Sequence, residues 1–255
     1  MKKALFPLVV FLLCAPPLFA GELPGAAASA PAAQAGEKPG EKIPSEDSTL
    51  KNFHQVGIGL YGGKLFRGAS PVRELAKSSA APLEDPQIME AAGQIMAHVK
   101  ALGINTIISL EDPADTEKNG KKSFSFALEK AAARPAGITL LSHPMNNADF
   151  RDMSPEAILA WLKGVEKDIN ASVKKGGVLF HCAAGHDRTG LVAAYLRITI
   201  SKWPVERAIA EMRDLGHNWP RYSSNGGKSS WHEEFLKSRF GAAAVLKSTY
   251  TYRGR

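Results

Sequence analysis

One decapeptide brings a thiol, a guanidinium, two imidazoles, a carboxylate and a hydroxyl together: His181-Cys182-Ala183-Ala184-Gly185-His186-Asp187-Arg188-Thr189-Gly190. It follows the apolar run Val178-Leu179-Phe180 and precedes a stretch with helical spacing, so it is expected to join a buried strand to a helix. In such a junction the backbone N–H groups of residues 183–187 turn inward as an anion nest, and the helix N-terminus adds its positive end. Arg188 would stand at the helix start, where a planar guanidinium holds two oxygens of a phosphate at once. Cys182, at the base of the same cradle, should ionise below the free-cysteine value of about 8.5. A thiolate beneath a bound phosphate is a nucleophile aimed at phosphorus. The Thr189 hydroxyl can donate to that sulfur and ease its departure, and Gly185 and Gly190 permit tight turns against a ligand.

The surrounding elements are those needed to hold such a loop. Residues 53–60 and 64–67 have the composition of short strands parted by Gly62-Gly63. Asp85-Pro86 opens an amphipathic helix through Ile88, Ile95, Met96 and Val99 that Gly103 stops. Residues 104–110 and 138–142 are compact β-branched and aliphatic runs, expected as buried parallel strands. A weaker helix is expected over 123–133. Ser154-Pro155-Glu156 caps a long one that ends near Gly176. Further helices are expected over 189–201, 204–215 and 231–240. Strands alternating with helices define an α/β fold, a mainly parallel sheet with helices on both faces.

The composition, 44% hydrophobic and 22% charged, excludes a disordered or fibrous chain. Thirty-two Lys and Arg against 25 Asp and Glu give a net charge of +7, which favours anionic partners without choosing among them. Two cysteines, Cys14 and Cys182, exclude a disulfide framework. Residues 1–20 have a Lys2-Lys3 start, an apolar run too short to span a membrane and a small-residue exit, the pattern of a secretory signal peptide. Residues 21–48, rich in Ala, Pro and Gly, are expected as a flexible linker. One domain over 49–245 and a tail over 246–255 complete the chain. The enzyme domain is thus expected outside the cytoplasm, periplasmic or secreted.

His-Cys, five residues, Arg and then Thr-Gly resembles the signature loop of the cysteine-based protein tyrosine and dual-specificity phosphatases, and the element order over 104–240 is similar to their core. Leu65-Phe66-Arg67-Gly68-Ala69-Ser70-Pro71 and Gly103-Ile104-Asn105-Thr106-Ile107-Ile108 are similar to a bacterial and plant branch. The resemblance implies hydrolysis of phosphate monoesters through a phosphocysteine, with Cys182 as nucleophile and Arg188 on the phosphate. Thr189 would support the thiolate, and Ala183, Ala184, Gly185, His186 and Asp187 would line the substrate. It also implies a general acid on a loop after the preceding strand. Asp149 stands 33 residues ahead of Cys182 and Asp152 stands 30 ahead. Asp149 is preferred because Asp152 falls beside the Ser154 cap; Asp112 and Asp187 stay open.

No cofactor and no metal site are expected, because the seven histidines lack ligand spacing. Gly57-Ile58-Gly59-Leu60-Tyr61-Gly62 fits a dinucleotide fingerprint in letters only, since no helix is expected after it. His181 is expected to brace the loop, His186 to touch substrate or solvent, Asp187 to shape the loop or orient a substrate, and Arg67 to make a surface ion pair, with reach from the first strands to the phosphate site as its alternative. Lys118, Lys121 and Lys122 are expected as a solvated basic loop. The expected partner is a phosphorylated protein or a small phosphate ester, with no nucleic-acid module and no membrane span; oligomeric state is left open. A phytase-like inositol-phosphate phosphatase is the alternative of the same chemistry. A silent phosphate-binding module is the alternative of another class.

Overall fold

A computed structural model describes residues 46–113, 123–218, 223 and 228–241, all within the unit Gly40–Arg255. The expected leader, nearly all of the linker, the Lys118, Lys121 and Lys122 loop and the 246–255 tail lie outside the described residues.

The described chain runs through β1 (His54–Gln55), β2 (Leu65–Ala69), α1 (Arg73–Ser78), α2 (Pro86–Ala101), β3 (Ile104–Ser109), α3 (Ser125–Ala133) and β4 (Thr139–Ser142). It continues through α4 (Asn147–Asp152), α5 (Pro155–Ser172), β5 (Gly177–Cys182), α6 (Asp187–Thr199), α7 (Val205–Asp214) and α8 (Trp231–Phe240). The sheet order is β1-β2-β5-β3-β4, antiparallel only between β1 and β2. The last and most buried strand in the sequence, β5, therefore lies at the centre, where every residue of Gly177–Cys182 is buried.

Side-chain alternation on the strands splits the core in two. Leu65, Ile108, Val178 and Phe180 face a cluster with Leu162, Val165, Leu191 and Ile209, from α5, α6 and α7. Ile104, Ile107 and Leu179 face the other side, with Met96, Val99 and Leu128 from α2 and α3. Helices thus cover both faces, as parallel strands require to bury both sides. The helix starts follow their caps: Asp85 accepts from the N–H groups of Gln87 and Ile88 at 3.0 and 3.3 Å, and Ser154 from that of Ala157 at 3.2 Å. Gly103, at φ +81°, ends α2 in the left-handed region that a side chain disfavours.

Three expectations are corrected: the extent of the 53–60 strand, the burial of the 138–142 strand and the loop around Asp149. The strand over 53–60 shrinks to the two residues of β1, because Gly59–Tyr61 turns as a 3-10 helix closed by Gly62 at φ 55°. No α-helix follows that glycine run, which leads straight into β2. The 138–142 strand is not buried: β4 is the sheet edge, with Thr139 and Ser142 exposed. The loop expected around Asp149 forms the short helix α4, and residues 73–78 form α1, which their composition did not announce.

Candidate active site

The C-terminal ends of β2, β3 and β5 converge on the loop between β5 and α6, the place where open parallel sheets bind ligands. Cys182 is the last residue of β5 and is 3% exposed. Burial works against its ionisation. The Arg188 charge, followed by the Thr189 hydroxyl and backbone N–H, outweighs that, so the thiol lies below its ordinary value. Thr189, the residue after Arg188 in α6, is buried, and its hydroxyl favours the ionised sulfur. Asp187 acts in the opposite sense, as a negative charge near a forming thiolate.

Arg188 is buried in the first turn of α6. Its Nη1 donates to the carbonyls of Leu110 at 3.0 Å and Met145 at 2.7 Å. Those bonds tie the segments after β3 and before α4 to the loop and fix the guanidinium plane. The Nε–Nη2 edge is the part of such a group that forks onto two oxygens of a tetrahedral anion.

Behind Cys182 lies a buried ionic cluster that no spacing in the sequence announced. His181 Nε2 is 2.8 Å from Glu129 Oε1, without the alignment of a hydrogen bond, and its Nδ1 is 3.9 Å from Glu111 Oε1. Burial opposes the imidazolium. The Glu129 and Glu111 charges prevail and lift His181 to about 9, so it is cationic at neutral pH. Its Nδ1 also lies 3.3 Å from the Cys182 carbonyl. Glu111 accepts from Ser125 Oγ at 3.3 Å, and Ser125 meets Ser70 at 2.9 Å. Burial raises the Glu111 carboxyl above its ordinary range.

A second cluster sits on the far side of the loop. Asp187 Oδ1 is 2.7 Å from His217 Nδ1 and accepts the Asn218 N–H at 3.1 Å. Burial opposes this carboxylate, yet the His217 contact keeps it below the usual range. His217 Nε2 meets Ser230 Oγ at 2.7 Å, and Arg213 forks onto Glu233 at 2.8 and 2.7 Å. His232 stacks on Phe150 of α4 at 4.4 Å between centroids, and burial drives it down to about 3. Asp187 therefore shapes the loop through α7 and α8.

The remaining candidates separate by environment. Asp152 is exposed and joined to Arg151 at 3.0 Å, which holds it ionised. Asp187 is committed as above. Asp112 is half-buried, two residues past the Leu110 carbonyl that Arg188 holds. Asp149 lies within α4, four residues past the Met145 carbonyl; its side chain is outside the described residues. His186 touches Asn52 Nδ2. Arg67 makes no surface ion pair: it is 2% exposed and donates from Nη2 to the Gly185 carbonyl at 2.8 Å. A cleft of ≈ 380 Å³ opens beside the loop, lined by Ala183, Ala184 and His186 and by Lys51, Arg73 and Lys77. Among the described residues no cluster of His, Cys, Asp and Glu could hold a metal ion, and no helix is long and apolar enough to cross a membrane.

A thiol held below its ordinary value beside a fixed guanidinium is an arrangement able to bind and attack an oxyanion, and residues 87–200 match the model of the tyrosine phosphatase family. The match runs from α2 through α6 and includes the whole loop. The chain is similar to the dual specificity protein phosphatase TpbA of Pseudomonas aeruginosa, 40% identical over 88 residues, 34% of this chain and 37% of that one. The aligned segment thus spans little more than a third of the relative's length. The crystal structure of P. aeruginosa TpbA is similar over 81% of this chain and 95% of that one, at 20% identity and a TM-score of 0.48. That of kinase associated phosphatase, bearing serine for its catalytic cysteine, is similar over 78% and 99%, at 18% identity and a TM-score of 0.49.

Proposed function

We propose that this chain hydrolyses phosphate monoesters of the phosphotyrosine or dual-specificity type through a phosphocysteine intermediate. The observation that carries the proposal is Cys182 at the end of β5 with Arg188 in the following helix turn, its guanidinium fixed by the Leu110 and Met145 carbonyls, an arrangement that holds the thiol below its ordinary range. The Cys182 sulfur attacks phosphorus and forms the S–P bond as the ester P–O bond breaks. Asp149 gives its proton to the departing oxygen. Asp149 then takes a proton from water, whose oxygen attacks phosphorus; phosphate leaves and the thiolate is restored. Arg188 and the backbone N–H groups of residues 183–188 hold the three non-bridging oxygens through both steps. Asp149 is assigned the acid because Asp152 and Asp187 are held as anions by their neighbours, and because it follows β4 ahead of the long helix α5.

Support for a protein substrate comes from the related dual specificity protein phosphatase. Lys51, Arg73 and Lys77 beside the loop suit a substrate with anionic groups flanking its phosphate. The charged start, apolar run and small-residue exit of residues 1–20 support a reaction in the periplasm or outside the cell.

The test is hydrolysis of p-nitrophenyl phosphate in EDTA by wild type, Cys182→Ser and Asp149→Asn, followed by phosphotyrosyl, phosphoseryl and inositol phosphates. Wild-type turnover should survive EDTA and vanish in Cys182→Ser. Asp149→Asn should lower kcat by about 10²-fold or more. Turnover that persists without the thiol rejects the mechanism, and an unaffected Asp149→Asn with a slowed Asp112→Asn moves the acid to Asp112.

A further inference from the structure

Three carbonyls, one at the end of β5 and two in the loop after it, are held outward by β2 and its flanks. The Cys182 carbonyl accepts the Ser70 N–H at 2.9 Å. The Ala184 carbonyl accepts from Asn52 Nδ2 at 2.7 Å, and the Gly185 carbonyl from Arg67 Nη2 at 2.8 Å. In a trans peptide the C=O of one residue and the N–H of the next point in opposite directions. Holding the Ala184 carbonyl outward therefore turns the Gly185 N–H inward, and holding the Gly185 carbonyl outward does the same for His186.

Both anchors are built for the task. Arg67 is 2% exposed, and its Nε and Nη1 have no hydrogen-bond partner among the described residues. A buried guanidinium with one bond is costly, so it is kept for what that bond does. Asn52 holds φ 50°, a left-handed conformation that asparagine tolerates and that brings its amide to the loop. Gly185 leaves no alternative packing: a Cβ there would meet the Gly68 carbonyl carbon at 2.5 Å and the Ala69 nitrogen at 2.6 Å. The loop is thus pressed against β2 with its carbonyls facing the strand.

We propose that Arg67 and Asn52 are positioning residues of the anion loop, which by holding the Gly185 and Ala184 carbonyls outward aim the His186 and Gly185 N–H groups at the bound oxyanion. This rests on the phosphatase reading above and adds to it two residues outside the signature loop. Arg67 is buried behind the loop, and Asn52 acts on it from the edge of the cleft, where its amide also meets His186. Their effect is on how well the cradle is preformed, and so on phosphate in the ground state and the phosphoryl group in transit alike.

The experiment compares wild type, Asn52→Gly and Arg67→Met in the same chain. Glycine keeps the left-handed backbone and removes the amide; methionine keeps an unbranched stem and removes the donor and the buried charge. Affinity for inorganic phosphate is measured by calorimetry, p-nitrophenyl phosphate turnover by kcat and KM, and folding by thermal unfolding. Phosphate affinity per folded molecule should fall ~10-fold in each variant, and kcat/KM by ~10-fold in Asn52→Gly and ~10²-fold in Arg67→Met. Variants that lose folded protein while folded molecules bind phosphate as wild type does would overturn the proposal, assigning both residues a merely structural part. Wild type that neither binds phosphate nor turns over ester sinks the phosphatase reading itself, an outcome separate from any difference among the variants.

Discussion

At Cys182 two opposed electrostatic effects meet, and their balance sets the chemistry. Burial would keep the thiol neutral; Arg188 and Thr189 hold it below its ordinary value in spite of that. The group immediately before it is the reverse case, a fully buried imidazole kept cationic at about 9 by Glu129. Because that value lies above the unfolded one of about 6.5, the stability His181 contributes is complete below pH 6.5 and is lost as pH rises through 9. Cys182 acts the other way in the same window, since a depressed thiol contributes stability at high pH. Cys182→Ser isolates the histidine. In that variant, denaturation midpoints should fall between pH 6.5 and 9, by about 3 kcal/mol in all. Adding Glu129→Gln should shrink the slope and lower stability at pH 6.5, because it leaves the buried imidazole with only the more distant Glu111 charge. A slope undiminished by Glu129→Gln would assign the effect to another group.

The loop between β5 and α6 is an element in its own right, and its glycines separate two roles. Gly185, at φ +75°, sits against the β2 backbone with no room for a methyl group. Gly190 lies inside α6, where a Cβ would find the Met212 side chain at an ordinary 3.5 Å. Gly185→Ala should therefore cost ~3 kcal/mol or more and abolish p-nitrophenyl phosphate turnover. Gly190→Ala should leave the melting temperature unchanged or raised, since alanine is the better helix former by about 1 kcal/mol. Comparable losses in both would contradict the packing of the loop on β2. At this scale much was legible in the residues. Asp85-Pro86 and Ser154-Pro155 marked two helix starts, and the β-branched run 104–110 and the apolar run 177–181 marked two central strands. The His-Cys to Thr-Gly spacing located the junction itself. Depth and edge were not legible: Thr139–Ser142 has strand composition, but only pairing order shows that it borders the sheet. Nor could Glu129, on an ordinary helical face, be told from a solvated carboxylate before α3 was packed against β5. Arg67 looked like a surface charge for the same reason. The period of a five-residue strand says which side a residue takes, not whether a loop from elsewhere covers it.

Across the whole molecule the loop is held from two sides, by β2 with His181 and Glu129 on one and by α7 and α8 through Asp187 and His217 on the other. The α8 side carries its own titrating group. His232, with no exposed surface, stacks on Phe150 of the helix that holds Asp149, and burial lowers it to about 3. Between pH 6.5 and 3 the unfolded chain binds a proton that the folded one refuses, so stability present above 6.5 is lost as pH falls through that range. The full effect is on the order of 5 kcal/mol. His181 gives the opposite slope above 6.5, so the two buried histidines together set a stability maximum close to pH 6.5 wherever the thiol is removed. His232→Phe keeps a ring to stack on Phe150 and removes the titration. In the Cys182→Ser background it should flatten the acid limb between pH 6.5 and 4 and leave the alkaline limb, which belongs to His181, where it was. Denaturant midpoints measured at half-unit steps from pH 4 to 9 read both limbs in one series. An acid limb unchanged by His232→Phe would return the loss to carboxylates such as Asp187, whose depressed range makes them expected to act only at lower pH.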